Sequence, residues 1–175
     1  MENSNLIVYS AATLDDLPAV VRLCMLVEEQ HENYWRLRWE RRPGLSEGYL
    51  RWLTHRIGDP RMFIHVAKDP TFSTLPAPSI VGMIVASIND EIPIYTYSEY
   101  ALVQDMAVIA SHRRRGIGQQ LLKNAAAWAR GHNLTQLRLL VADKNPDAQA
   151  AFLKTGFVPT YHEMVLPLKE EGDTP

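Results

Sequence analysis

The sequence predicts an α/β fold of the α+β type in a single domain, and three observations predict it. Short alternating apolar runs interleave with stretches whose apolar residues recur every three or four positions, the signatures of strand and amphipathic helix. Glycines and prolines fall between these runs and punctuate them. No Pro/Gly/Ser-rich linker or change of composition divides the 175 residues, a length that suits one domain with a substantial core. The domain is read as residues 1–168, with "KEEGDTP" (169–175) as a disordered tail.

"LIVYSA" (6–11) reads as the first strand. "TLDD" follows with Thr13 or Asp15 as N-cap and Pro18 in the first turn of a helix. Leu17, Val20, Val21, Cys24, Val27 and His31 form its apolar stripe, and Cys24 is read as core. After Pro43 and Gly44, "SEGYLRWLTHRIG" gives a second, shorter helix with Ser46 as cap and Gly58 as stop. "RMFIHVAKD" and "SIVGMIVASIND" read as two strands, joined by a proline-rich exposed connection, "PTFSTLPAP". "EIPIYTYSEY" (91–100) reads equally as a pocket lining or a tyrosine-rich edge strand. A strand over 101–109 leads into "HRRRGIGQQLL", then a helix ended by Gly131. "LTQLRLLVAD" is a strand; "NPDAQAAFLKTGF" is a helix capped by Asn145, with Pro146 at its first position and Gly156 as its stop. "TYHEMVLPL" is expected as a last strand.

Composition removes several classes of function. With 18 basic against 20 acidic residues the net charge is −2, without the basic excess of a general nucleic-acid or membrane-surface protein. One cysteine cannot close an internal disulfide, and no paired histidine spacing marks a metal site, so no metal is expected. "MENSNLIVYSAA" lacks the basic and long apolar regions of a signal peptide, and no run reaches membrane-spanning length. The expectation is a soluble cytoplasmic protein without nucleic-acid or membrane partners; a homodimer through the last strand or a sheet edge stays open.

Residues 112–122 carry the chemistry. A strand, three arginines, two glycines and a helix point main-chain N–H groups and the positive end of a helix dipole at whatever lies over Arg113–Gly118. Gly116 and Gly118 can take positive φ and curl the chain around phosphate oxygens, while the arginines add charge. The position three after Gly118 is Leu121, which excludes the dinucleotide fingerprint, and no G-x-x-x-x-G-K-[ST] occurs. The same arginines could serve a solvated basic turn; His112 beside them reads as a phosphate contact or a solvated loop histidine.

From about Leu102 to Phe157 the chain resembles the GNAT superfamily of N-acetyltransferases. The resemblance rests on "DMAV" (105–108), on R-x-x-G-x-G at Arg113, Gly116 and Gly118, and on Asn145, Ala148, Lys154, Gly156 and Phe157 of "NPDAQAAFLKTGF". It implies a three-layer α/β/α fold, with a central mixed, mostly antiparallel sheet splayed at an acetyl-CoA site. It implies that the amides of Arg113, Arg114, Arg115, Gly116, Ile117 and Gly118 hold the pyrophosphate. The strand Met106, Ala107, Val108 would pair with the pantetheine arm and Asn145 would contact it or the acetyl end, a role that can hold together with that of helix cap; Phe152 would border the coenzyme or simply pack in the core.

The activity implied is transfer of an acetyl group from acetyl-CoA to a primary amine, on a small molecule or a protein, with a backbone N–H near Val108 holding the oxyanion. The carboxylate that relatives often use as a base aligns at or near Gln104, and Asp105 is adjacent. Strand alternation sends these two to opposite faces unless a bulge intervenes. Glu32, Glu91 and Glu99 could accept a proton through water or be solvated surface carboxylates. Many relatives carry tyrosine where Phe152 stands, which leaves Tyr161, Tyr100 or water to return the proton. Trp35, Trp39, Tyr95, Tyr97 and Tyr100 could embrace a cationic acceptor, or Tyr34, Trp35 and Trp39 could cover core. Phe152 and Gln104 also suit an acetyl-CoA-binding sensor without turnover.

Overall fold

The computed structural model describes residues 7–72 and 79–168. Five strands form one sheet in the order β1 (Val8–Ala11), β2 (Met62–Lys68), β3 (Ile80–Asp90), β4 (Glu99–Val108), β5 (Leu137–Leu139). All neighbours are antiparallel except β4 and β5, which run parallel. Helices α1 (Leu17–Tyr34), α2 (Arg36–Trp39) and α3 (Leu45–Arg56) precede β2; α4 (Ile117–Gly131) and α5 (Pro146–Lys154) flank β5.

Both faces of the sheet are covered, so its central strand is apolar and buried from Ile80 to Ala86 and turns polar only towards Asp90. On one side, Leu17, Val20 and Cys24 of α1 and Leu53 of α3 pack on Val66, Met83 and Val85. On the other, Ile117, Leu121 and Ala125 of α4 pack on Phe63, Val81, Ile84 and Val103, with Phe152 and Phe157 against them. Period-2 alternation along β3 thus feeds two cores, the three layers expected. Gly82 sets the spacing of the second: a Cβ there would lie 3.2 Å from both the Ala107 carbonyl oxygen and Ile117 Cγ2. Its missing side chain lets the first turn of α4 sit close on β3 and β4.

Local signals hold at Pro18 and Asn145, but the N-cap of α1 is Asp16 rather than Thr13 or Asp15. Thr13 opens a single 3-10 turn, Leu14–Asp16, and donates from N and Oγ1 to the Asp16 carboxylate at 2.9 and 3.0 Å. Asp16 also pairs with Lys68 of β2 at 2.8 Å, and α1 then begins at Leu17 with Pro18 in its first turn. Asn145 caps α5, its Oδ1 accepting from Ala148 N at 3.2 Å. For α3 the cap is Gly44 at φ 73°, and Ser46 lies inside the helix, because a left-handed turn after Pro43 brings the chain into helix two residues early.

Residues 158–168 form no strand. The alternation of "TYHEMVLPL" supplies a face, but a strand also needs a neighbouring edge to bond, and this segment pairs with none of the described strands. Residues 91–98 are an exposed connection closed by Glu91 N to Ser98 O at 2.7 Å, and only Glu99 and Tyr100 join β4. The expected tail and most of the proline-rich connection lie outside the described residues. No helix among those described is long and apolar enough to cross a membrane.

Candidate active site

The pairing of β4 with β5 runs from Ala101–Leu137 to Val103–Leu139 and stops there. Beyond it, residues 104–108 of β4 keep one edge free of any described strand. Ile109 N donates to Val81 O at 2.9 Å, towards β3. Alternation therefore turns the N–H and C=O of Val108 to the open edge, where the carbonyl accepts from Arg113 Nε at 3.1 Å.

The arginine loop closes this edge. Arg113 N bonds to Ala110 O at 3.3 Å and Gln120 N to Gly116 O at 3.0 Å, and among the described residues no main-chain acceptor is found for the amides of 114–119. These are the free donors of a helix start. Arg114 at φ 61° and Gly116 at φ 78° turn the loop. Gly118 does not take positive φ: it sits in the first turn of α4, where a Cβ would meet Met106 Cε at 3.6 Å. Arg113 is bound back to the strand, while Arg114 and Arg115 are exposed and have no ion pair among the described residues. A cradle of unpaired amides edged by two free guanidiniums suits a diphosphate.

His112 is neither solvated nor turned to a ligand. It is buried, its Nε2 3.0 Å from Asp69 Oδ2 and its Nδ1 2.9 Å from Ser111 Oγ. Phe72 meets its ring edge-on at 4.9 Å. Asp69, at the end of β2, also accepts from Thr71 N and Oγ1 at 2.8 and 2.6 Å. The Thr71 and His112 bonds hold its carboxyl down at about 2. The root of the arginine loop is thereby tied to the far side of β3.

A β-bulge lies at Gln104: Val85 pairs with Asp105 and Ala86 with Val103, so Gln104 is the extra residue. The bulge puts Gln104 and Asp105 on the same face, against α3. Gln104 Nε2 donates to Ser87 Oγ at 2.9 Å. Asp105, 4% exposed, accepts a hydrogen bond from the Tyr49 hydroxyl. Burial pushes its carboxyl up to about 6, against the opposing Tyr49 bond; Glu28 of α1 adds to the rise and His31 offsets it. Burial likewise raises the Tyr49 phenol and the Cys24 thiol, so both stay neutral. Tyr49 and Gln104 line a cavity of about 380 Å³ with Arg42, Leu45, Gly48 and Trp52.

The other acid–base candidates are engaged. Glu32 pairs with Arg41 at 2.7 Å, Glu91 with Arg138 at 2.5 Å and Glu99 with Arg61 at 2.5 Å. The arginine bonds, with a backbone bond from Ile92 first for Glu91, lower the carboxyls of Glu32 and Glu91. Tyr161 is 66% exposed. Phe152 meets Phe157 edge-on at 5.8 Å. The aromatic set does not form one cage: Arg138 covers the Tyr100 ring at 3.8 Å, Trp39 stacks on His31 under Arg38, and Tyr95 and Tyr97 are exposed on the β3–β4 connection. Tyr49 escapes sequence reading because its partner is 56 residues away. Among the described residues no group of three or more His, Cys, Asp or Glu side chains is placed to hold a metal.

The sheet opens at one parallel pair, and a loop whose main-chain amides find no partner among the described residues stands at the end of the opened strand. The chain belongs to the acetyltransferase (GNAT) family, whose model matches residues 21–157. It is similar to streptothricin acetyltransferase A of Bacillus subtilis (strain 168), 34% identical over 62 residues. That match covers 35% of this chain and 36% of the relative's length. In structure it is similar to the tetramutant of the BH1408 protein of Bacillus halodurans, at TM-score 0.76 and 21% identity over 92% of this chain and 99% of the other. It is also similar to an aminoglycoside 6'-N-acetyltransferase of Acinetobacter baumannii, at TM-score 0.70 and 18% identity over 94% and 99%. At these identities the structural likeness speaks for the fold.

Proposed function

We propose that the protein moves an acetyl group from acetyl-CoA to a primary amine by direct attack, with Asp105 as the final proton acceptor. One observation carries this reading: β4 holds a buried carboxylate beside its free edge and ends at a loop of unpaired amides. The residues present fit the coenzyme. Met106, Ala107 and Val108 offer main-chain groups along its arm, residues 113–118 offer amides to its phosphates, and Arg114 and Arg115 add charge. When bound, it supplies an acetyl thioester.

The chain's own residues supply positioning and proton transfer. The Val108 N–H, turned to the open edge, is the donor for the carbonyl oxygen. Asp105 does not reach the cavity; Tyr49 does. The amine proton passes to the Tyr49 oxygen as the phenolic proton moves to Asp105, so the phenol stays neutral throughout. A carboxyl with pKa about 6 is ionised at neutral pH and close enough to it to take a proton. Asn145 keeps its side chain on the α5 cap, Phe152 supplies an apolar wall, and water returns the proton to the departing thiolate, since Tyr161 stands exposed.

Free-thiol release measured with acetyl-CoA over an amine panel, alongside calorimetric titration of the coenzyme, tests this. Turnover with an acidic limb near pH 6 that disappears in Asp105→Asn is expected. Coenzyme binding without thiol release for any amine would give the sensor reading instead.

A further inference from the structure

The cavity between α3 and the β4 bulge carries charge of one sign. Its lining, Arg42, Leu45, Gly48, Tyr49, Trp52 and Gln104, contains one cation and no carboxylate. Asp105 lies behind Tyr49, and the nearby Glu32 is neutralised by Arg41. Arg42, exposed on the loop before α3, makes no hydrogen bond or ion pair with any described residue. Trp52, edge-on to Tyr49 at 5.4 Å, makes an apolar wall with Leu45. Gln104 commits an amide N–H to Ser87, which leaves its Oε1 as an acceptor without a donor among the described residues. At about 380 Å³ the space is at the lower end of small-molecule sites.

These features discriminate between amines. A polycation would bring a second ammonium beside Arg42, where it loses hydration and meets no carboxylate of the cavity's own lining, Glu47 lining instead the neighbouring pocket that shares Arg42 and Leu45. An amine that also bears an apolar side chain and a carboxylate meets a partner at each point. Its ammonium faces Gln104 Oε1 and the Tyr49 oxygen, its side chain lies on Trp52 and Leu45, and its carboxylate meets the fork of Arg42, which presents parallel N–H donors.

We propose that the acceptor is a small amine of the α-amino-acid class, selected through its carboxylate by Arg42. This rests on the acetyl-transfer reading, so the test uses two readouts. Protein saturated with coenzyme A is titrated calorimetrically with L-phenylalanine, L-phenylalaninamide, phenethylamine, spermidine and kanamycin, and thiol release from acetyl-CoA is followed with the same compounds. L-phenylalanine is expected to bind at least about tenfold more tightly than its amide or phenethylamine, the effect of one charge-assisted bidentate contact. Arg42→Met should collapse that ratio and Arg42→Glu should invert it; an exposed loop position tolerates both. Tighter binding of spermidine or kanamycin, a ratio indifferent to both substitutions, or no binding by any of the five overturns the proposal. Carboxylate-selective binding with no thiol release from any amine sustains the recognition and sinks the transfer reaction. Thiol release indifferent to Arg42 does the reverse.

Discussion

The two flanks of β4 are built from different materials. Towards α4 and the open edge, the donors are main-chain groups: the strand at 106–108 and the amides of 114–119, set by Gly116, by the close approach at Gly82 and by the Asp69–His112 tie. Towards α1 and α3 the working groups are side chains, namely Asp105, Tyr49, Gln104 and Arg42. A cradle of amides fits any ligand with the same phosphates. A wall of side chains changes with each substitution. On the proposed function the common donor would be met by backbone and the particular acceptor by side chains, and the two should fail separately.

The sharpest separation is Asp105→Asn. It should lower kcat by about 10²–10³, the usual worth of a positioned base, and leave coenzyme affinity intact. The same change should stabilise the fold. The carboxyl rises from 3.8 to about 6 on folding, so its favourable contribution is complete below pH 4 and is lost as pH rises through 6. Above that, keeping a buried charge costs about 2–3 kcal/mol. Thermal melts at pH 8 should place the variant above the parent.

Gly116→Val attacks the other flank. An L residue at φ 78° carries about 1–2 kcal/mol of backbone strain, and the amide cradle should lose about tenfold or more in coenzyme affinity by calorimetry. A coenzyme dissociation constant equal to the parent's, in a folded variant, would break the comparison.

Tyr49→Phe removes the bond that lowers the Asp105 carboxyl. Activity should fall by about tenfold or more, and the acidic limb of the pH–rate profile should move above 6. An unshifted limb would separate Tyr49 from the base.

A smaller effect is expected from Asp69→Asn. The carboxyl, held at about 2, contributes stability present above its ordinary value of 3.8 and lost as pH falls through 2. The variant should lose that acid limb in thermal melts and show a raised KM for acetyl-CoA with the amine KM unaltered, because the loosened root belongs to the donor side.

The smallest change is Tyr161→Phe: at 66% exposure it should leave kcat within about twofold, the range of ordinary surface substitutions.

The arginine loop and the Asn145 cap are legible in the chain because each is made by neighbours within six residues, where glycine, proline and side-chain caps act directly on φ, ψ and orphan amides. The same locality makes the helices and inner strands readable from their periods. It fails at Ser46, where a left-handed Gly44 takes the cap, and at residues 158–168, where an alternating pattern meets no edge. His112 could not be placed from its neighbours, since the group that defines it, Asp69, is 43 residues away.

By itself the sequence determined the succession of helices and inner strands as far as α5 and a glycine-bearing basic loop at the start of α4, since these follow from spacing within one or two turns of chain. The tertiary structure alone decided that a bulge would bring Gln104 and Asp105 to one face, that Tyr49 would cover that carboxylate, and that Arg42 would stand beside them with no partner among the described residues. Those facts come from strand register and from helix packing across the sheet, and a side chain's charge and exposure depend on neighbours that only folding supplies.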